Sequence, residues 1–327
     1  MRFSRRCLIA LAAGSATAAA IPAARAQTWP DRPIRWLVGY PAGGGTDVLA
    51  RLIGAEMSRR LGVPVVIENR PGAATNVAAQ AAATAAPDGY TVFTAGNETT
   101  VFNPALYRNL PFDVDRDLRP LGLMARFHLV LTAADRSPAR SARELIERAR
   151  AEPGRIDFGT PGQGSPHHLA MERLAREAGV RFNHVPYRGM APVMNDLLAG
   201  TVEAAIVDVA AGRELLRSGR VRPLCVLSPA RLDTFPDLPT AEEALGLAGF
   251  AAFAWQGLTA PARTPDAIAA RLSAILAECV ADPAVQARMR EIGLDPLSGG
   301  PAEHRALIEA ERAIYWPLIR SLGLVLE

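Results

Sequence analysis

Lysine is absent from this 327-residue sequence, so all 36 of its basic residues are arginines. This absence excludes a P-loop lysine, a Schiff-base lysine and a lysine general base. Cysteine is scarce, because the chain has only Cys7, Cys225 and Cys279. No local spacing relates Cys225 to Cys279, so the sequence leaves a disulfide between them open.

Long apolar runs are also missing after the N-terminus. Residues 1–26 combine a basic start, an apolar stretch from Cys7 to Ile21 and small residues at Ala24 and Ala26, a pattern typical of an export leader. That stretch is too short for a membrane-spanning helix, which needs roughly 20 apolar residues, and we expect a soluble mature chain. Ser4-Arg5-Arg6 is typical of a twin-arginine signal, with Sec export as the alternative. Either route predicts the periplasm.

An excess of positive charge is lacking once the leader is removed. The leader holds four of the arginines and no acidic residue, which leaves 32 basic against 33 acidic residues. A net charge near −1 does not favour nucleic acid or an anionic membrane surface as a partner.

Strand and helix patterns alternate along the chain and predict an α/β fold. Apolar strands such as "IRWLV", "VPVVIEN" and "YTVFTAG" are each separated by a helical pattern, which is typical of a parallel sheet covered by helices. The alternation starts again after a Pro- and Asp-rich passage at 103–120. We therefore predict two lobes joined by crossing strands near Phe127–Thr132 and Leu224–Ser228. The first lobe would take 27–127 and 227–327, and the second 128–226.

Two glycine-rich turns follow strands and open helices, one in each predicted lobe. They are "GYPAGGGTDVLAR", Gly39 to Arg51, and "IDFGTPGQGSPHHLA", Ile156 to Ala170. Unpaired N–H groups at a helix start favour an anion, and two such starts facing one cleft would clamp it. We expect Thr46 or Asp47 to cap the first helix, and Ser165 to cap the second.

A third turn, "HVPYRG", places Tyr187, Arg188 and Gly189 at another helix start. Catalytic and metal patterns are weaker. "GQGSP" lacks the second glycine of a nucleophile elbow, and "PAGGGTD" is neither a P-loop nor G-x-G-x-x-G. Because His167 and His168 are adjacent, they cannot both face one metal with normal geometry, and we expect no metal and no cofactor.

The mature chain resembles the tripartite tricarboxylate receptor family, the Bug receptors, which are periplasmic solute-binding proteins. The similarity runs through "WPDRPIRWLV", "PAGGGTDVLAR", "VIENRPGA", "APDGYTV", "GTPGQGSPHHLA", "HVPYRG" and "FPDLPTAEEALG". The resemblance implies the type II periplasmic-binding-protein fold, with two α/β lobes that close on one small ligand without catalysis. It also implies that backbone N–H groups of both glycine loops, with ordered water, hold one carboxylate.

The resemblance also implies a set of ligand-binding residues, drawn from both loops, the tyrosine turn and one strand end. Three of them have a second reading, because Asp47 and Asp208 could serve as helix or turn caps and His168 could brace its loop. The set comprises Pro41, Gly43, Gly44, Thr46, Asp47, Gly162, Gly164, Ser165, His168, Tyr187, Gly189 and Asp208.

Departures from the family pattern fall where ligand choice should be made. Ala74-Thr75-Asn76 replaces a second glycine pair, and Glu98 stands where small neutral residues are usual. If Glu98 faces the cleft, it would repel a second carboxylate and favour an amine or hydroxyl; if it faces water, it has no such effect. Trp255 could line the half of the cleft away from the carboxylate anchor, or it could belong to the core. Arg213 could be a solvated helix charge.

The sequence therefore predicts a periplasmic receptor for a small organic carboxylate, acting as a monomer that delivers its ligand to inner-membrane transporter subunits. A receptor that signals to a membrane sensor kinase is the alternative. A rival from another class is an enzyme on the same fold, with Ser165 or Asp208 acting on a carboxylate. The identity of the carboxylate stays open.

Overall fold

The computed structural model describes residues 29–327, so the predicted leader at 1–26 lies outside the described residues. Ten strands form among the described residues, and eight of them follow the spatial order β2-β1-β3-β9-β4-β7-β5-β6, while β8 and β10 pair with β4. The strands are β1 (Ile34–Val38), β2 (Val65–Asn69), β3 (Thr91–Gly96), β4 (Leu118–Ala134), β5 (Asp157–Thr160), β6 (Asn183–Pro186), β7 (Ala204–Asp208), β8 (Val221–Val226), β9 (Phe253–Pro261) and β10 (Leu294–Pro296).

Helices cover the strands, and a π-helical turn at Glu98–Phe102 follows β3. The α-helices are α1 (Gly45–Leu61), α2 (Asn76–Ala83), α3 (Asn103–Leu106), α4 (Val114–Asp117), α5 (Ala142–Ala151), α6 (Pro166–Ala178), α7 (Met190–Ala199), α8 (Val209–Arg217), α9 (Ala241–Leu245), α10 (Asp266–Ala281), α11 (Pro283–Glu291) and α12 (Pro301–Leu322). Of the helices within 29–327, none combines the length and the apolar character that crossing a membrane requires.

Each half of the sheet has its own apolar core. In the first half, β1 runs parallel to β2 and β3, and Trp36, Leu49 and Leu272 belong to one buried cluster that α1 and α10 complete. In the second half, β5 runs parallel to β6 and β7, and Phe158 and Leu174 belong to a separate buried cluster. The chain therefore has two α/β lobes, as the sequence predicts.

Strand β4 joins the lobes because it is long enough to belong to both. Residues 118–128 pair with β9, whereas residues 129–134 pair with β7 and β8. The predicted crossing at Phe127–Thr132 lies at this change of partners.

The second predicted crossing, at Leu224–Ser228, falls at the end of β8 and just after it. Strand β8 stays paired with the second-lobe half of β4, and the chain next forms α9, which packs on α5. Ala241, Phe250 and Ala252 are buried in the second-lobe core, and β9 then pairs with β3 of the first lobe. The predicted boundary at 226 stays a prediction, and this packing leads us to propose 252 instead.

Candidate functional site

A cavity of about 600 Å³ is lined by residues of both lobes. It lies where β1, β3, β5 and β7 end and the following helices begin, which is the usual place for a ligand in open α/β sheets. Half of the predicted site residues line it, and they come from all three predicted turns and from the end of β7. The lining members of the predicted set are Pro41, Thr46, Gly162, Ser165, Gly189 and Asp208.

The first loop is held in shape by hydrogen bonds to the Asp47 side chain. Asp47 is 2% exposed, and its carboxylate accepts hydrogen bonds from the Gly43 amide at 2.8 Å, Arg51 Nε at 2.9 Å and Asn69 Nδ2 at 2.9 Å. Burial raises the pKa of this carboxyl, but these three donors outweigh burial and leave the pKa below its ordinary value. Asp47 therefore braces the loop and does not line the cavity.

The prediction that Thr46 or Asp47 caps α1 is wrong. Gly44 occupies the cap position, directly after Gly43 with its φ of 83°, and the helix begins at Gly45. Because Gly44 has no side chain, it offers no side-chain acceptor to the first amide groups of α1. Gly45 and Thr46, whose amides belong to this first turn, line the cavity.

The second loop has a side-chain cap, as predicted. Ser165 Oγ accepts the His168 amide at 3.2 Å, and Pro166 takes the first helical position. His168 Nδ1 in turn accepts the Gly164 amide at 3.0 Å, and its ring stacks on His184. The geometry thus assigns His168 to bracing the loop, while Gly162 and Ser165 face the cavity.

The tyrosine turn contributes backbone and not its phenol. Tyr187 is not among the cavity-lining residues, and its hydroxyl donates to Asp196 Oδ2 of α7 at 2.6 Å. Burial, the hydrogen bond and the charge of Asp196 raise the pKa of Tyr187 to about 12. Gly189, with a φ of 100°, precedes α7 and lines the cavity. A side chain there would strain the backbone.

Asp208 both caps a helix and faces the cavity, so the two readings left open by the sequence are not exclusive. Its Oδ1 accepts the Ala211 amide of α8 at 2.7 Å, and its Oδ2 lies 3.4 Å from His167 Nε2. His167 lines the cavity as well, although its place in the sequence suggests no role other than that of a metal ligand. Within the described residues, no group of three or more His, Cys, Asp or Glu is arranged to hold a metal ion.

Glu98 faces the cavity and not the bulk water. It is 9% exposed, and its Oε2 accepts the Tyr40 hydroxyl at 2.8 Å. Burial raises the pKa of this carboxyl, while Tyr40 and the nearby His167 oppose the rise. Gln256 of β9 reaches the Tyr40 hydroxyl from the other side, with 3.4 Å between Nε2 and the phenol oxygen.

A strained segment forms part of the wall beside Glu98. Ala73, Ala74 and Thr75 have φ values of 44°, 49° and 75°, a region that residues other than glycine rarely adopt. Thr75 Oγ1 lies 2.6 Å from Thr99 Oγ1, and Asn103 Nδ2 donates to the Ala74 carbonyl at 2.6 Å. Because Ala74 and Thr75 line the cavity, this strain lies where the sequence departs from the glycine-containing family pattern.

Two further candidates do not line the cavity. Trp255 is fully buried in the core and donates from Nε1 to Glu311 Oε2 at 2.9 Å. Arg213 of α8 donates to the carbonyls of Glu291 and Arg290 at the end of α11. Arg213 is therefore a contact between α8 and α11 instead of a free surface charge.

The profile of the tripartite tricarboxylate transporter family receptor matches residues 49–324. This chain belongs to that family. This receptor is 36% identical over 316 residues to the UPF0065 protein in the tcbD-tcbE intergenic region of Pseudomonas sp. (strain P51). The matched region covers 96% of this chain and 94% of the relative.

Solved structures resemble this receptor over most of their length. Rpa4515 of R. palustris, solved with adipate, has 34% identity and a TM-score of 0.82 over 91% of this chain and 99% of its own. MatC of Rhodopseudomonas palustris, solved with bound malate, has 31% identity and a TM-score of 0.77 over 89% and 99%. The predicted family and its two-lobed binding-protein fold are both confirmed.

Proposed function

We propose that this receptor binds a small organic carboxylate in the periplasm and delivers it to a tripartite tricarboxylate-type transporter, without catalysis. The observation that carries the proposal is the pair of helix starts, α1 from the first lobe and α6 from the second, that open on one 600 Å³ cavity. Amide groups and dipoles at helix starts stabilise an anion. One anion in contact with both helices would hold the lobes together.

The direct anchor residues we propose are the members of the predicted set that line the cavity, apart from Asp208, whose own negative charge would repel a carboxylate. The residues of that set that do not line it would position the loops: Asp47 holds Gly43, and His168 holds Gly164. Adipate and malate in the two similar structures are carboxylates, which supports this ligand class.

The contacts of Ser165 argue against the rival enzyme. Its hydroxyl oxygen accepts the His168 amide as a helix cap, and the imidazole Nδ1 of His168 accepts the Gly164 amide. Since that ring nitrogen is engaged by the loop backbone and not by Ser165, the pair does not form the base and nucleophile of a hydrolase.

Export and delivery rest on the leader pattern and on the family. Residues 1–26 have the form of an export signal. A strain lacking this receptor should lose uptake of the labelled ligand, whereas loss of a ligand-induced transcriptional response with normal uptake would favour the signalling alternative.

Ligand binding is tested by thermal unfolding of the mature chain, refolded to remove any bound ligand, against carboxylates each paired with its neutral amide. A ligand at about 100 times its Kd stabilises by about 2.7 kcal/mol, which is measurable as a rise in Tm. We expect acids to raise the Tm and their amides to leave it unchanged. Equal shifts for acid and amide, or no shift by any acid, would contradict the carboxylate anchor.

A further inference from the structure

The charges of the cavity wall are unlike those expected for a site that holds two carboxylates. Among the described residues, 29–327, none of those that line the cavity is an arginine, although arginine is the only strongly basic residue type of this chain. The wall has two acidic side chains, Glu98 and Asp208, and His167 beside them. A second negative charge on the ligand would therefore share the cavity with two acidic side chains and no arginine.

Glu98 is the more deeply buried of the two acids. It is 9% exposed, and its Oε2 accepts the Tyr40 hydroxyl. Asp208, by contrast, is already engaged as the cap of α8 through the Ala211 amide. A buried carboxylate is costly unless a positive or donating group compensates it, and one phenol hydroxyl compensates Glu98 only in part.

The polar groups beside Glu98 include a buried acceptor without a partner among the described residues. Gln256 is 4% exposed and lines the cavity, and its Oε1 is buried with no hydrogen-bond partner in the described part of the chain. His167 Nδ1 is likewise buried without a hydrogen-bond partner there, while Nε2 lies 3.4 Å from Asp208 Oδ2. An ammonium group donates three hydrogen bonds and would bring a full positive charge to Glu98, beside which lie the Tyr40 hydroxyl and His167.

We infer that this cavity selects a carboxylate whose other end carries an ammonium group, and that Glu98 determines this choice by pairing with the ammonium. The inference rests on the proposed function, because it requires the ligand carboxylate to lie at the helix starts. Dicarboxylates of the same length are disfavoured, since their second carboxylate would face Glu98 and Asp208 without an arginine.

The test compares ligands that differ only at the far end. Calorimetric titration at pH 7.5 measures the affinities of adipate, 6-aminohexanoate and hexanoate, and of the shorter set succinate, 4-aminobutyrate and butyrate. In at least one set, we expect the amino acid to bind tenfold or more tightly than the diacid. Equal or tighter binding of the diacid in both sets would overturn the inference and leave the carboxylate receptor intact. Failure of every carboxylate to bind would overturn the proposed function itself.

The role of Glu98 is tested by Glu98→Gln, which keeps the shape and an acceptor for Tyr40 but removes the charge. We expect the preference for the amino acid over the diacid to fall at least tenfold. Glu147→Gln, the same change on the exposed side of α5, is the control and should leave the preference unchanged. An unchanged preference in a folded Glu98→Gln would overturn the assignment. The ligand comparison in the unsubstituted chain tests the cavity even if this variant fails to fold.

Discussion

The imidazole of His168 accepts the Gly164 amide at 3.0 Å and stacks on His184 with ring centroids 3.7 Å apart. Removing the acceptor should disturb the loop that carries Gly162 and Ser165 at the cavity. His168→Phe keeps an aromatic ring for the stack but leaves the Gly164 amide buried without a partner. We expect a loss of about 1–3 kcal/mol in unfolding free energy, measured by urea denaturation, together with weaker carboxylate binding.

His168→Asn is the matched control, because its side-chain oxygen can accept the Gly164 amide from a position near that of Nδ1. It should retain more affinity than His168→Phe. If both variants bind as tightly as the unsubstituted chain, then His168 does not position the loop.

At the residue scale, sequence patterns found the turns but not every side chain around the cavity. Thr46 and Ser165 were found because each lies in a glycine-rich helix start, a local signal. Gln256 has no such signal, since it reaches the cavity from β9, about 160 positions beyond the β3 residue Gly96 that it pairs with. Whether Asp47 braces a loop or touches a ligand depends on side-chain direction, which spacing alone does not determine.

At the element scale, the start of α1 offers a direct test of the anion anchor. Gly44 has a φ of −76°, which any residue adopts, and a Cβ there would meet only the Pro41 carbonyl at 3.5 Å. Gly44→Asp should therefore fold, since aspartate is a favoured cap. Its carboxylate would occupy the amides offered to the ligand and repel the ligand's own charge. We expect binding to be lost in calorimetric titration with a largely unchanged Tm.

The control for this variant is Gly44→Asn, which has nearly the same shape and capping ability without the charge. It should bind more tightly than Gly44→Asp. Equal affinity of the two variants would show that charge at the start of α1 does not matter, and the anchor would have to lie elsewhere.

The sequence predicted most elements well where the apolar pattern is regular. Strand β1 coincides with the predicted "IRWLV", whereas β4 begins at Leu118, inside the Pro- and Asp-rich passage at 103–120. Pro120 is accommodated because the pairing with β9 shifts register between Pro120 and Gly122. A bulge of this kind tolerates a residue without an amide hydrogen, and no local pattern announces it.

At the scale of the whole molecule, a buried polar cluster lies where the lobes meet. Arg173 of α6 lies over the rings of Phe250 and Tyr315 and donates to the Ala251 carbonyl. Glu311 of α12 is 7% exposed and accepts Trp255 Nε1. The cluster thus joins a second-lobe helix, the segment that leads into β9, and the last helix of the first lobe. It could not be predicted, because its members are far apart in sequence.

Glu311 makes the stability of this junction depend on pH. Burial raises the pKa of its carboxyl to about 7 from an ordinary value of 4.5, against the opposing effects of Trp255, Asn97, Arg173 and Arg126. A raised pKa means that the folded state binds the proton more tightly. The protonated Glu311 carboxyl therefore makes its full contribution to the unfolding free energy below about pH 4.5. The unfolding free energy then falls as the pH rises to about 7.

Glu311→Gln should remove this pH dependence, because glutamine stays neutral and can still accept from Trp255. At about 1.4 kcal/mol per pKa unit, the variant should exceed the unsubstituted chain by up to about 3 kcal/mol at pH 8. At pH 5 the two should differ little. Urea denaturation at both pH values measures this, with Glu309→Gln on the exposed side of α12 as the control. If Glu311→Gln loses as much stability between pH 5 and pH 8 as the unsubstituted chain, then the proton is bound elsewhere, and Glu311 is already ionised at the junction.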